Sequence, residues 1–226
     1  IAITGPSGSG KSTLMNILGL LDTCDSGTYM FSGLDTKMLA DNELSRIRNE
    51  RIGFIFQSFN LIPTLSVVEN VALPLTYRGI PTAKRLERSL SALEAVGLSG
   101  RLSHKPYELS GGQQKRVCIA RALAADPDYI IFDEAVSGLD AVVRKNVLDL
   151  LIKIQKNSGK GCLLITHDID AALYISQRIA VMKSGRILES VNYSGDIKVF
   201  KSEYAKTLIS SSSSGIKKYD ISVKNG

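Results

Sequence analysis

Short apolar runs alternate with stretches of helical periodicity along most of this chain. Continuous apolar residues predict buried strands at residues 1–4, 52–56, 129–132 and 163–165. Apolar residues recurring every three or four positions predict helices after residue 10, over most of residues 67–106, and after Ser110. Strands that alternate with helices favour an α/β fold with a mostly parallel central sheet.

Shorter sequence patterns predict further strands, helices and turns between these elements. Residues 27–31 predict a strand, and residues 41–51 predict a polar helix with Asp41 or Asn42 as its cap. In the first helix the apolar positions are Leu14, Ile17, Leu18 and Leu21. Helix breaks are expected at residues 79–81 and at Gly97, and a hairpin is expected around Ser184-Gly185.

Composition narrows the class of protein. The chain has 226 residues, of which 44% are hydrophobic and 22% are charged. No apolar run is long enough for a membrane span, and three widely spaced cysteines fit neither a disulfide framework nor a zinc site. The net charge of +6 is concentrated towards the C-terminus. Residues 210–226 are predicted to be a flexible, solvated basic tail, and no nucleic-acid partner is expected.

A glycine-rich turn between the first strand and the first helix fits G-x-x-x-x-G-K-[ST], the pattern of a phosphate-binding loop. Small residues let backbone N–H groups converge on phosphate oxygens, and the following helix adds the positive end of its dipole. Lys11 adds a cation for the outer phosphates, and the Ser12 hydroxyl is a candidate ligand for Mg²⁺. The residues assigned to the nucleotide are Gly5, Pro6, Ser7, Gly8, Ser9, Gly10, Lys11, Ser12 and Thr13.

A second glycine pair precedes the helix after Ser110. Ser110, Gly111, Gly112 and Gln113 offer a hydroxyl and accessible backbone N–H groups at a helix N-terminus, which is a second anion site. One ATP molecule does not need two such sites far apart in sequence. Two copies of the chain, packed head to tail, would use both sites on each nucleotide, so a homodimer, or a heterodimer with a second subunit of the same kind, is expected.

The sequence resembles the ABC ATPases over roughly residues 1–190. Besides the phosphate loop, five motifs occur in that family's order. They are Gln57 after Phe54-Ile55-Phe56, then Leu109-Ser110-Gly111-Gly112-Gln113, Asp133-Glu134 after Tyr129-Ile130-Ile131-Phe132, Ser137-Gly138-Leu139-Asp140, and His167 after Leu164-Ile165-Thr166.

The resemblance implies a role for each of these polar residues. Asp133 would hold Mg²⁺ through water, and Glu134 would be the base that orients or deprotonates the attacking water. His167 would contact the γ-phosphate and keep Glu134 and the water in line. Gln57 would reach both the metal and the water, and Asp140 would belong to the nucleotide site. Phosphoryl transfer depends mainly on positioning and charge stabilisation, so these parts are sufficient.

The resemblance also implies the architecture. The expected fold is a P-loop NTPase with a RecA-like core and an ABC helical subdomain at about residues 65–128. Residues 1–209 would form the ATPase domain. Because Ile1 already lies in a strand, the N-terminal antiparallel strands are expected to be incomplete, and the aromatic residue that stacks on adenine in this family would precede residue 1.

The same resemblance implies the function of the chain and bears on the direction in which substrate is transported. The chain is expected to power transport through separate transmembrane permease subunits, contacted through the segment after Gln57, at the cytoplasmic face of the membrane. Residues 42–75 resemble the macrolide and lipoprotein exporters, whereas residues 133–137 and 204–208 resemble nickel and oligopeptide importers. A soluble ABC ATPase acting on nucleic acid or in translation is the alternative, but long heptad arms and a second cassette are absent from the sequence. A non-hydrolysing cassette would be expected to lack Glu134 or His167.

Overall fold

The computed structural model describes residues 1–212. Its strands are β1 (Ala2–Thr4), β2 (Met30–Phe31), β3 (Leu34–Asp35), β4 (Ile52–Ile55), β5 (Tyr129–Asp133), β6 (Gly161–Thr166), β7 (Arg178–Lys183) and β8 (Arg186–Asn192). Its α-helices are α1 (Lys11–Leu18), α2 (Asp41–Arg51), α3 (Val67–Tyr77), α4 (Thr82–Ala95), α5 (Gly111–Ala124), α6 (Ala141–Ser158), α7 (Ile169–Ile175) and α8 (Glu203–Ser212). Short 3₁₀ turns occur at Thr36–Met38, Ser99–Arg101, Pro106–Glu108 and Ile197–Val199.

The central sheet has six strands in the order β4-β5-β6-β1-β7-β8. The pairs from β4 to β7 are parallel, and only the β7–β8 hairpin is antiparallel. This confirms both the mostly parallel sheet and the predicted hairpin. Strands β1, β5 and β6 are neighbours, so the loops that follow them meet at one edge of the sheet.

Both faces of the sheet are buried, which explains why its strands read as continuous apolar runs. In β1, Ala2 belongs to one hydrophobic cluster and Ile3 to the other. Ile130 and Ile131 in β5 divide in the same way, because successive side chains of a strand point to opposite faces. Helices α3, α4 and α5 pack against one another over the larger cluster.

Several boundaries differ from the sequence predictions for local reasons. The predicted strand at residues 27–31 is reduced to Met30–Phe31, which pairs only with β3, and Gly27 has φ 82°. Helix α1 ends at Leu18, because Leu20 turns to φ 59°. The cap of α2 is Ala40, not Asp41 or Asn42.

Ala40 is the cap of α2 because its backbone N–H is bonded to a glutamate side chain in the first turn of the helix. The Ala40 N–H donates to the Glu43 carboxylate at 2.9 Å, so Asp41 becomes the first helical residue. The breaks near residues 79–81 and at Gly97 are confirmed, but residues 96–106 contain 3₁₀ turns and no α-helix.

The predicted start of the flexible tail, at residue 210, differs from the structure. Helix α8 continues to Ser212, so the first three serines of the polar run are helical. Ile209 is buried and anchors this last turn. The Ser210 hydroxyl donates to the Thr207 carbonyl at 3.0 Å, and the Ser211 hydroxyl donates to the Leu208 carbonyl at 2.8 Å. The rest of the predicted tail lies outside the described residues.

None of the helices within residues 1–212 combines the length and the apolar character that a membrane span requires.

Candidate ATP site

The phosphate loop joins β1 to α1, and its glycines are needed for two different reasons. Gly8 has φ 75° and Gly10 has φ 92°, values in the left-handed region that favours glycine. At Gly5 the reason is packing, because a Cβ atom would lie 2.1 Å from the Met182 carbonyl oxygen in β7. The adjoining β7–β8 turn also supports the loop, since the Gly185 N–H donates to the Ser9 carbonyl at 2.9 Å.

Two polar groups in the loop fit a phosphate ligand. The Lys11 amine donates to the carbonyls of Gly5 and Pro6, both at 2.9 Å. Burial lowers the pKa of Lys11, while Glu134 and Asp133 act in the opposite direction. The Ser9 hydroxyl is buried and has no hydrogen-bond partner within residues 1–212. A buried hydroxyl without a partner is costly, and an anion oxygen bound in the loop would satisfy it.

Two consecutive carboxylates follow the end of β5. Burial and the neighbouring charge of Glu134 raise the pKa of Asp133, whereas Lys11 and Lys115 lower it. Glu134 adopts φ 47°, which is uncommon for a residue with a side chain. Its N–H donates to the Ile165 carbonyl at 2.9 Å, and this bond to β6 holds the unusual backbone in place. Such conformations cluster at functional sites.

Glu134 and His167, 33 residues apart in sequence, are paired directly. The Nδ1 atom of His167 lies 2.8 Å from Oε1 of Glu134, and the His167 backbone N–H donates to the same oxygen at 3.0 Å. The second carboxylate oxygen accepts from the Thr166 hydroxyl at 3.4 Å. The Glu134 side chain is 15% exposed and that of His167 is 59% exposed, so the histidine covers the carboxylate from the solvent side.

A second layer of contacts holds this pair. The Asp168 N–H donates to the Thr166 hydroxyl at 3.0 Å, and Asp168 also caps α7. Arg144 on α6 donates to the Asp168 carboxylate at 3.1 Å and to the Leu139 carbonyl at 3.2 Å. A cavity of about 440 Å³ lies beside these groups and is lined by Glu134, His167 and Arg144 among others. Arg144 therefore joins the loop after β5 to the loop after β6.

The remaining residues predicted for the nucleotide site make no recorded contact with the Glu134–His167 pair in the described part of the chain. Ser12 and Thr13 are exposed at the start of α1, and the Gln57 side chain is also exposed. Ser110 caps α5, because its hydroxyl accepts from the Gln113 N–H at 3.3 Å. Asp140 caps α6 through two backbone N–H groups at 2.9 and 3.1 Å. The structure thus gives Ser110 and Asp140 capping roles that the motif comparison did not include.

Gly112 in the second glycine pair is tightly enclosed. A Cβ atom there would lie 2.6 Å from Cγ1 of Val143 on α6. Gly111 is looser, since its Cβ would be 3.8 Å from the Phe59 ring and 3.9 Å from the Leu139 side chain. The turn that begins α5 is therefore packed between the segment after Gln57 and the loop that carries Asp140.

No group of three or more His, Cys, Asp or Glu side chains in residues 1–212 forms a metal site by itself. Mg²⁺ does not require one, since it usually takes one or two protein oxygens together with phosphates and water. The exposed Ser12 hydroxyl and the Asp133 carboxylate are oxygen donors of that kind.

A strand–loop–helix phosphate site, strand-end carboxylates and a Glu–His pair define a P-loop nucleoside triphosphatase of the ATP-binding-cassette class. The chain belongs to the ABC transporter family, which matches residues 1–137. It is an ATP-binding and ATP-hydrolysing domain of that family. Membership of this family favours a role in transport over the alternative of a soluble ABC ATPase that acts on nucleic acid or in translation.

Curated relatives differ in how much of their length the chain spans. It is 46% identical over 188 residues to the probable syringafactin export ATP-binding/permease protein SyfD of Pseudomonas syringae, covering 83% of this chain but 28% of SyfD. It is 45% identical to the macrolide export ATP-binding/permease protein MacB of Mannheimia succiniciproducens, over 84% of this chain and 29% of MacB. With the uncharacterized ATP-binding protein YvrO of Bacillus subtilis it shares 44% identity, over 84% of this chain and 82% of YvrO.

Solved structures agree with the fold. A dimeric, post-hydrolysis structure of the ATP-binding cassette MJ0796 bound to ADP and Pi aligns with a TM-score of 0.77 at 41% identity. The alignment covers 86% of this chain and 85% of that chain. A second dimeric structure of MJ0796 aligns equally well. The P-loop fold predicted from the sequence is confirmed.

Sequence reasoning missed two of the residues that support the Glu–His pair. Thr166 could have been recognised, because its hydroxyl immediately precedes His167 at the end of a buried strand. Arg144 could not, because nothing in the sequence indicates that a residue of α6 reaches Asp168. Both contacts depend on β5 and β6 being neighbours in the sheet.

Proposed function

We propose that this chain hydrolyses MgATP at a composite site that it forms with a second ATPase subunit, and that the resulting movement drives separate membrane subunits. The observation that carries the proposal is the pairing of Glu134 with His167 beside the phosphate loop. Lys11 also interacts electrostatically with Glu134 and Asp133, which supports a single nucleotide site for these charges.

In this mechanism each side chain has a defined task. The phosphate loop and Lys11 bind the phosphates, and Lys11 exchanges its bonds to the loop carbonyls for phosphate oxygens. Glu134 accepts a hydrogen bond from the attacking water. It takes the water's proton as the water oxygen bonds to the γ-phosphorus and the bond from that phosphorus to the bridging oxygen breaks, so that ADP leaves. His167 donates to the γ-phosphate and keeps Glu134 oriented. Gln57 would complete the site by contacting the water and by offering its side-chain oxygen to Mg²⁺.

Mg²⁺, held by Ser12 and through water by Asp133, would neutralise charge that develops on the phosphates. The raised pKa of Asp133 is consistent with this task, because a carboxylate that is costly to ionise alone gains from a nearby cation. Ser110, Gly111, Gly112 and Gln113 would contact the nucleotide of the opposite subunit, with Asp140 near the subunit boundary. The dimeric MJ0796 cassettes support this arrangement.

We also propose that the chain works at the cytoplasmic face of a membrane and exports its substrate. Support comes from the relatives named for export, SyfD and MacB. Import of a peptide or of nickel is the competing hypothesis. A relative that is 43% identical, the trimethylamine N-oxide transport system ATP-binding protein TmoW of Pelagibacter ubique, is named for transport without a direction.

The first prediction tests the base. Glu134→Gln keeps the shape of the side chain but removes the charge that accepts a proton, so phosphate release from MgATP should fall by about 10²–10⁴-fold. Binding of MgATP should persist. The exposed Glu94 on α4 supplies a matched control, since Glu94→Gln should leave turnover unchanged. A normal hydrolysis rate in Glu134→Gln would show that Glu134 is not the base.

A further inference from the structure

One face of α5 is bound to the backbone around Gln57. We call residues 56–60 the Q-loop segment. Lys115, Cys118 and Arg121 are spaced three residues apart, which places them on the same side of the helix. All three donate to backbone carbonyls of the Q-loop segment. Helix α5 is also the helix that Ser110 caps, and we call residues 110–113 the signature turn. A single element therefore carries both the signature turn and the contacts to Gln57.

Lys115 is the central member of this set. Its side chain is nearly inaccessible, with the residue 1% exposed. Its amine donates to the Phe56 carbonyl at 2.8 Å and to the Gln57 carbonyl at 3.0 Å. It also lies 5.0 Å from the centre of the Phe59 ring. A buried ammonium group is costly unless it is hydrogen-bonded, and here both bonds go to the Q-loop segment.

The other two donors extend the attachment along the segment. The Cys118 thiol lies 3.1 Å from the Phe59 carbonyl. Arg121 donates to the Asn60 carbonyl at 2.7 Å and to the Phe59 carbonyl at 3.2 Å. Four carbonyls of the five-residue segment are therefore held by one helix face, which leaves the segment little freedom to move independently of α5.

The start of the helix is in contact with the same segment. The position that a Cβ atom would take at Gly111 is 3.8 Å from the tip of the Phe59 ring. Phe59 thus touches the signature turn at one end and Lys115 one turn further on. A displacement of the Q-loop segment would push on both points of α5 together.

We propose that Lys115 is a positioning residue that fixes the Q-loop segment to α5, and so sets where Ser110 and Gly112 meet the nucleotide of the opposite subunit. This inference rests on the composite site proposed above. It predicts that a membrane subunit that moves the Q-loop segment also moves the signature turn. The hydrogen bonds of the Lys115 amine go to the Q-loop segment, so its loss should impair dimer closure and leave binding at the chain's own phosphate loop intact.

The test uses Lys115→Met in a Glu134→Gln background, because methionine keeps most of the side-chain volume but removes the donor. Two quantities are measured: the affinity of the monomer for a fluorescent ATP analogue with Mg²⁺ at low protein concentration, and the dimer dissociation constant from sedimentation at saturating MgATP. Lys153→Met on α6, an exposed lysine, is the matched control.

We expect nucleotide affinity to remain within about twofold, while the dimer dissociation constant rises roughly tenfold, the equivalent of about 1.4 kcal/mol or one charge-assisted hydrogen bond. Lys153→Met should change neither quantity. Equal dimerisation with and without Lys115→Met would overturn the inference, and parallel loss of nucleotide affinity and dimerisation would show a merely structural role.

Two results would require a different conclusion: a Lys115→Met variant that does not fold, and a Glu134→Gln variant that forms no dimer. If Lys115→Met fails to fold, as judged by thermal melting, Arg121→Met decides the question, because it removes two bonds from the same segment at a less buried position. Unchanged dimerisation in Arg121→Met would then overturn the inference. If Glu134→Gln alone forms no dimer, the composite site itself fails, and the positioning role of Lys115 fails with it.

Discussion

At the scale of single residues, the Glu134 side chain and its backbone are both held by neighbours in the site. Both of its oxygens have partners, its backbone is held at φ 47°, and its N–H is bonded to β6. The oxygen not shared with His167 is steadied only by the 3.4 Å contact with Thr166. A contact of this length leaves that oxygen with lone-pair capacity to accept a hydrogen bond from water.

The Thr166 hydroxyl gives a second prediction. Thr166→Val keeps the volume and branching of the side chain but removes the donor to Glu134 and the acceptor for the Asp168 N–H. We expect kcat for ATP hydrolysis to fall by about tenfold, the effect of losing roughly 1.4 kcal/mol of positioning, with KM little changed. Thr207→Val on the exposed side of α8 is the control. A rise in KM at constant kcat would assign Thr166 to ATP binding instead.

At the scale of elements, the loop between β4 and α3 is organised by one buried amide. Asn70 on α3 is fully buried and bonds through its side chain to the N–H and carbonyl of Ile62 and to the carbonyls of Leu65 and Ser66. This fixes the shape of the loop.

The orientation of side chains in this loop corrects part of the sequence-based expectation. The segment after Gln57 is the expected contact with a membrane subunit, but two of its residues, Phe59 and Leu61, are partly buried and pack against the main hydrophobic cluster. The contact of Phe59 with Lys115 explains its inward direction. Ile62, by contrast, is 37% exposed, and Pro63 beside it is also exposed. The outer part of the loop is the better candidate for contact with a partner.

A third prediction follows for Ile62. Ile62→Asp should leave ATP hydrolysis by the isolated chain unchanged, because the side chain points away from the core. It should abolish transport and the stimulation of ATPase activity by the membrane subunits, since a charge would be buried against their apolar surface. Ile197→Asp, at a residue that is 42% exposed, is the matched control. Transport that survives Ile62→Asp would place the contact elsewhere.

Some elements could be predicted from the sequence, and others could not. Strands β4, β5 and β6 and helix α5 could be predicted, because each is long or strongly apolar and is bounded by clear turn residues. The cap of α2 could not, because Glu43 and Asp41 both suit a first turn and only the backbone decides between them. Likewise, Lys115 reads as an ordinary helical lysine until the Q-loop segment is placed beside it.

At the scale of the whole molecule, the order of the sheet assembles the site. Strands β5, β6 and β1 are adjacent, so the loops that follow them bring Glu134, His167 and Lys11 together from distant parts of the sequence. The resemblance to the ABC ATPases implied that Glu134 and His167 would meet, whereas their distances and hydrogen-bond partners required the sheet. Ser110 and Gly111, at the start of a different helix, are exposed, which is consistent with a role towards a second subunit.

That role gives a fourth prediction. Ser110→Arg places a long side chain at the shared phosphate site, and it should prevent two Glu134→Gln chains from joining in MgATP. ATP should still bind to each chain's own phosphate loop. Loss of the helix cap costs about 1 kcal/mol, so thermal melting should confirm that the variant remains folded. Dimers that form in spite of Ser110→Arg would exclude Ser110 from the interface.

The most direct test of the composite site is the molecular mass of Glu134→Gln in solution, measured by size-exclusion chromatography with light scattering, with and without MgATP. Because the variant binds ATP but cannot turn it over, the nucleotide should hold two chains together. We expect a dimer with MgATP and a monomer without it, whereas the unsubstituted chain returns to monomer after hydrolysis. A Glu134→Gln chain that binds MgATP tightly and stays monomeric would contradict the account.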